Sequence, residues 1–163
     1  MSGNVKEWRD PDGLLSGTFS IRARGFFGSE FVLSDENGEF GLLRLEGSGE
    51  ASFESGGLSG RIEREGLRYR MFTGNRETLT AIRSPSGGLR IEVGEKAYEA
   101  SVSLVRNEAT ATSSGGEAVR VAGGLTNRRY EVSFEGEGSL PVAIFLLYHL
   151  AASRRRAFRA EMR

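Results

Sequence analysis

The chain has 163 residues, 38% of them hydrophobic and 27% charged, and its 22 basic and 22 acidic side chains give a formal net charge of zero. That length fits one domain able to bury roughly two-thirds of its extended surface, and a zero balance leaves no global field to draw in nucleic acid. With no cysteine, disulfide frameworks, thiolate metal sites and thiol nucleophiles are excluded.

The opening stretch, Met1 to Asp10, has no apolar segment of the kind a secretory signal needs, so a cytoplasmic address is expected. Beyond it, apolar and polar residues alternate with period two up to about residue 135. Phe19, Ile21 and Ala23 alternate with Ser20, Arg22 and Arg24. Leu67, Tyr69 and Met71 alternate with Arg68 and Arg70, and Tyr130, Val132 and Phe134 with Arg129, Glu131 and Ser133. Each such segment has one apolar and one charged face, the mark of an antiparallel sheet wet on one side. Strands are expected near 18–24, 29–34, 39–45, 50–54, 58–64, 67–73, 77–83, 88–93, 96–104, 107–113, 117–122 and 126–134, about twelve in all. Glycine-bearing turns separate them. Asn37-Gly38 suits a type I′ hairpin, and the switch of apolar parity at Leu42-Leu43 points to a β-bulge there. No linker interrupts the series, so residues 1–163 read as one domain with its core at about 15–160.

From Leu140 to Ala152 the pattern changes. LPVAIFLLYHLAA has only His149 as a plainly polar residue, and Arg154-Arg155-Arg156 follows. A helix apolar on every side has no solvated face and must be enclosed by protein or by lipid. Thirteen apolar residues fall short of the ~20 that span a bilayer core, so a membrane anchor is the weaker alternative and no transmembrane span is expected. Twelve wet-faced strands expose edges unless the sheet closes, and a closed barrel that wide needs something to fill it. The expected fold is therefore mainly β: a closed antiparallel barrel of about twelve strands around a central hydrophobic C-terminal helix at about 140–159. Ser139 is placed to cap that helix and Pro141 fits its first turn.

This order of many short strands, then Tyr130 to Phe134, a turn at Gly136 and Gly138, and the run Leu140 to Leu150 resembles the tubby-like superfamily, which includes the LURP-one-related proteins and the phospholipid scramblases. The resemblance covers residues 15–160, and the LURP-one-related branch fits best in length and element order. It implies a twelve-stranded barrel around a buried helix and a non-enzymatic binding or scaffold role. Tubby domains bind phosphoinositides through basic surface residues, but no such signature aligns residue by residue here. The acidic stretch Asp35 to Glu39 reads as a hairpin turn and lacks EF-hand spacing, so no scramblase-like calcium site is carried over.

Candidate chemistry is sparse. A single histidine, His149, allows no triad or multi-histidine metal site and reads as a hydrogen-bonded core residue. Glu63 and Glu65 lie two apart on a strand and share its solvated face. Phosphate-loop and dinucleotide-loop patterns are missing. No catalytic residue, cofactor or metal site is assigned, and neither enzymatic activity nor nucleic-acid binding is expected. One asymmetry stands out. Residues 153–163 hold five arginines and one glutamate, whereas the rest of the chain holds 17 basic and 21 acidic groups. Arg154, Arg155, Arg156 and Arg159 are the candidate surface for an anionic ligand such as lipid headgroups. The competing use is structural: charge at the helix C-terminus complementing the helix dipole and pairing with glutamates of the barrel rim. Phe158 and Met162 are expected to fold back onto that rim, and Trp8 to cover the opposite end.

Overall fold

The structure is a computed structural model that describes residues 16–25, 29–46, 49–55, 58–136 and 139–161. Trp8 and Met162 and the side chains of Phe158 and Arg159 lie outside the described residues. The elements are β1 (Ser16–Arg24), β2 (Glu30–Asp35), β3 (Gly38–Leu45), β4 (Ala51–Ser55), β5 (Leu58–Glu65), β6 (Arg68–Thr73), β7 (Arg76–Arg83), β8 (Leu89–Val93), β9 (Lys96–Ser103), β10 (Glu108–Ser113), β11 (Gly116–Gly123), β12 (Arg129–Glu135) and α1 (Ser139–Glu161). Each strand pairs antiparallel with its sequence neighbour, and β1 pairs with β12 from Ser16↔Glu135 to Arg22↔Arg129. The sheet is thus a closed up-and-down barrel, which leaves no sheet edge open.

Period-two alternation decides which residues point inward. Leu89, Ile91 and Val93 are buried while Arg90 and Glu92 are exposed, and β12 repeats the pattern. The outer face is laced with ion pairs such as Arg61–Glu63 at 2.9 Å and Arg90–Glu99 at 3.2 Å. These exposed pairs add little stability each. Glu63 is held by Arg61 and lies 3.7 Å from Arg70.

The helix fills the barrel. Every residue from Ser139 to Ala152 is buried. Burying Leu140, Val142, Ile144, Phe145, Leu146, Leu147 and Leu150 is worth on the order of 10–20 kcal/mol. α1 runs off-centre, nearest β10, β11 and β12; the inward residues of β10 and β11 are small, among them Ala109, Ala111, Ala118 and Val121, whereas β12 turns Tyr130, Val132 and Phe134 inward. Across the lumen larger side chains close the gap. Tyr69 packs edge-on to Phe145 with ring centroids 5.4 Å apart, and Met71, Tyr98 and Phe31 are fully enclosed.

Three details differ from the sequence expectations. The bulge in β3 falls at Phe40, where the β2–β3 register jumps from Leu33↔Gly41 to Ser34↔Glu39, and not at Leu42-Leu43. Phe40 and Leu43 both point inward, so the parity switch seen in sequence is the downstream echo of an extra residue two positions earlier. The same jump recurs in β7, at Thr78, and in β11, at Ala118. It thus returns in every fourth strand, and the barrel is built from three similar four-stranded units. The β2–β3 turn is not type I′. Glu36 and Asn37 form its centre, Asn37 keeps a negative φ, and only Gly38, at φ 110°, is left-handed. The Asp35 carboxylate accepts the Asn37 N–H at 2.8 Å, which secures this alternative solution to the twist of a hairpin. Finally, Ser139 is not the helix cap. It already belongs to α1, and its hydroxyl donates backward to the Gly136 carbonyl at 2.6 Å.

Candidate functional site

Antiparallel alternation sorts the connections onto two rims. The lower rim, where α1 begins, carries the turns β2–β3, β4–β5, β6–β7, β8–β9 and β10–β11. The upper rim, where α1 leaves the barrel, carries β1–β2, β3–β4, β5–β6, β7–β8, β9–β10 and β11–β12. All four candidate arginines lie on the segment of α1 that reaches the upper rim.

Arg154 is turned inward and is only 8% exposed. Its guanidinium donates through Nη1 to the Leu104 carbonyl and through Nη2, at 3.0 Å, to the Leu125 carbonyl. One side chain thereby clamps the β9–β10 and β11–β12 loops to the helix end. Asn107 completes the junction. It is buried, adopts the left-handed φ of 55° that asparagine tolerates better than most residues, and donates from Nδ2 to the Gly124 carbonyl at 2.9 Å. Its own carbonyl accepts the Gly123 N–H at 2.8 Å. A Cβ on Gly123 would sit 2.2 Å from Asn107 Nδ2, so only glycine permits this approach. Asn127 Nδ2 donates to the Ala151 carbonyl at 3.1 Å, inside the last turns of α1. On the opposite side of the rim the Tyr148 hydroxyl donates to the Gly49 carbonyl in the β3–β4 loop.

The other arginines are placed differently. Arg155 and Arg156 are half-buried, and Arg156 Nη2 donates to Ser153 Oγ at 3.2 Å. The structure therefore separates the four: Arg154 is engaged in the rim clamp, Arg155 and Arg156 face the rim surface, and the Arg159 side chain lies outside the described residues. Rim carbonyls hold Arg154. Sequence reasoning missed Asn107 and Asn127. Their only signal is an asparagine beside a turn on either side of β10–β11.

Burial perturbs two groups near the junction. The Tyr130 phenol is pushed up to about 12 by desolvation, against the opposing pull of Asn107 and Arg154. His149 is lowered to about 4 by burial first and by the positive charges of Arg156, Arg83 and Arg64 next. It stacks on Phe145 and meets Tyr69 edge-on, and its Nδ1 finds no hydrogen-bond partner among the described residues. His149 is thus a packed core residue. A depressed value means that the unfolded chain takes the proton first as pH falls. Stability from this residue is complete above pH 6.5, is lost between 6.5 and about 4, and is level below that. The loss is on the order of 3 kcal/mol. Urea midpoints measured from pH 7 to pH 4 are expected to fall in the native protein, with this component gone in His149→Phe; an identical pH slope in both proteins would contradict it.

A surface depression lies elsewhere. A groove of about 440 Å³ at the lower rim, between β1, β11 and β12, is lined by Thr18, Ser133, Glu117, Arg120 and Glu135 among others. Both carboxylates are exposed, and Glu117 lies 3.7 Å from Arg120. Among the described residues no cluster of three His, Asp or Glu could hold a metal ion, and no helix is long and apolar enough to cross a membrane.

No family model matches the chain, and no curated protein or solved structure matches it either.

Proposed function

We propose that the protein is a non-enzymatic, cytoplasmic binding module of the tubby-like, LURP-one-related kind whose binding end, the upper rim, docks on anionic phospholipid surfaces. The kinship is supported by strand number, closure and the enclosed helix. The lipid reading is carried by one observation, the separation of charge along the barrel axis. At or beside the upper-rim connections stand Arg24, Arg68, Arg83, Arg106, Arg128 and Arg129, joined by Arg155 and Arg156 from α1. The glutamates there include Glu30 and Glu108, which are tied to Arg24 and Arg120, together with Glu46, Glu50 and Glu65. The lower rim instead gathers Asp35, Glu36, Glu77, Glu95, Glu117 and Glu135 against Arg76 and Lys96. A molecule of zero net charge polarised in this way orients its basic end toward an anionic surface.

Each basic side chain near such a surface contributes about 1 kcal/mol. Replacing Arg155, Arg156 and Arg159 together by serine, with Arg154 kept to preserve the rim, is expected to weaken co-sedimentation with phosphatidylserine-containing vesicles by on the order of a hundredfold. Added salt should weaken the native protein likewise. Equal sedimentation of the triple variant and the native protein would refute the reading.

A further inference from the structure

The charged upper rim also carries the exposed grease of the molecule. Among the described residues the large hydrophobics left exposed are Leu67, Ile82, Leu104, Val105 and Leu125. Leu67 lies in the β5–β6 turn, Leu104 and Val105 in β9–β10, Leu125 in β11–β12, and Ile82 is the penultimate residue of β7 as it reaches the same rim. Among the described residues the lower rim contributes none of them. Val105 and Leu125 are extreme, at 97% and 98% exposed. Among the described residues almost nothing packs against them.

Their loops are nevertheless fixed. The Arg154 guanidinium holds the carbonyls of Leu104 and Leu125, Asn107 holds Gly124, and Asn127 ties the second loop to Ala151. Both carbonyls are drawn toward the helix end while the side chains of Val105 and Leu125 stand out into solvent. Ordering an apolar tip in advance removes an entropy cost from whatever it later enters.

We propose that Val105 and Leu125 are insertion tips that enter the acyl boundary of an anionic bilayer, with Arg154 as the positioning residue that presents them; this rests on the phospholipid reading above. A bilayer is the occupant that fits. Two tips on neighbouring loops stand out into solvent, and lipid closes around such tips without a complementary pocket. The arginines beside the tips, Arg106 on one loop and Arg128 and Arg129 on the other, stand at headgroup height when the tips are buried. Apolar tips amid basic residues are the combination that interfacial binding requires.

The test places an indole on each tip in a Trp8→Phe background, Trp8 being the sole native tryptophan. Val105→Trp and Leu125→Trp are expected to shift to the blue and to be quenched by phosphatidylserine vesicles with brominated acyl chains. Glu95→Trp, on the lower rim, should stay unquenched. The double variant Val105→Asp/Leu125→Asp is expected to lose roughly tenfold or more in vesicle affinity with an unchanged melting temperature. If the native protein sediments with anionic vesicles but neither tip is quenched and the double variant binds equally well, insertion is overturned and the electrostatic reading survives. If the native protein does not bind anionic vesicles, both fall. If the double variant turns a dimer into a monomer at unaltered vesicle affinity, the tips are a contact between copies and insertion is overturned.

Discussion

Leu146→Asp is expected to leave no folded protein in the soluble fraction. Leu146 sits on α1 at the middle of the barrel with no exposed surface. The substitution removes about 2 kcal/mol of apolar burial and places a carboxyl where the surrounding core side chains are almost all apolar. An unpartnered buried charge alone costs several kcal/mol, against a net stability of about 5–15 kcal/mol for a typical domain. Leu146→Met, which keeps volume and polarity, should cost less than about 1.5 kcal/mol. Expression, solubility and far-ultraviolet circular dichroism of the two variants check this. A soluble Leu146→Asp protein with native β signal would mean that the helix is not enclosed.

Arg154→Met is expected to be the most damaging change within the arginine cluster. Methionine keeps much of the stem but donates nothing, so the Leu104 and Leu125 carbonyls lose their charged partner in a junction that is largely closed to water. Charge-assisted bonds of this sort are worth about 1.5–3 kcal/mol each, part of which water recovers at the rim. A loss of about 2–3 kcal/mol in urea unfolding is expected, with faster amide exchange in the β9–β10 and β11–β12 loops. Arg155→Ser/Arg156→Ser, at half-buried positions, should cost clearly less than Arg154→Met. Equal stability of the two variants would show that the clamp carries no load.

How much of this was legible depends on whether a local pattern has one physical cause. The strands were legible because inward and outward faces of a single-walled barrel impose period two on every segment, and each of the twelve observed strands overlaps an expected one. The enclosed helix was legible because an all-round apolar run has few places to go. Positions set by three-dimensional register were not. The extra residue at Phe40 reveals itself only through its pairing with β2. The fate of Ser139 turned on where α1 begins, a matter of one residue. Arg154 was the hardest to single out. An arginine in a run of three looks solvated, and a helix apolar on every side offers no stripe from which to tell which arginine turns inward. The insertion tips have no periodicity at all, because an apolar residue in a turn gains meaning only when the barrel brings separate turns to one rim.

Enclosure of α1 is the claim beneath all of this, and the absence of native cysteine makes it directly measurable by thiol labelling. Ala143→Cys and Leu147→Cys, both at fully buried helix positions, and Ser101→Cys, on the outer wall, would be treated with a maleimide under native conditions and again in urea. The wall cysteine should react at once. The two helix cysteines should stay unmodified until the barrel unfolds, whereas native labelling at the rate of the wall control would contradict the enclosed helix.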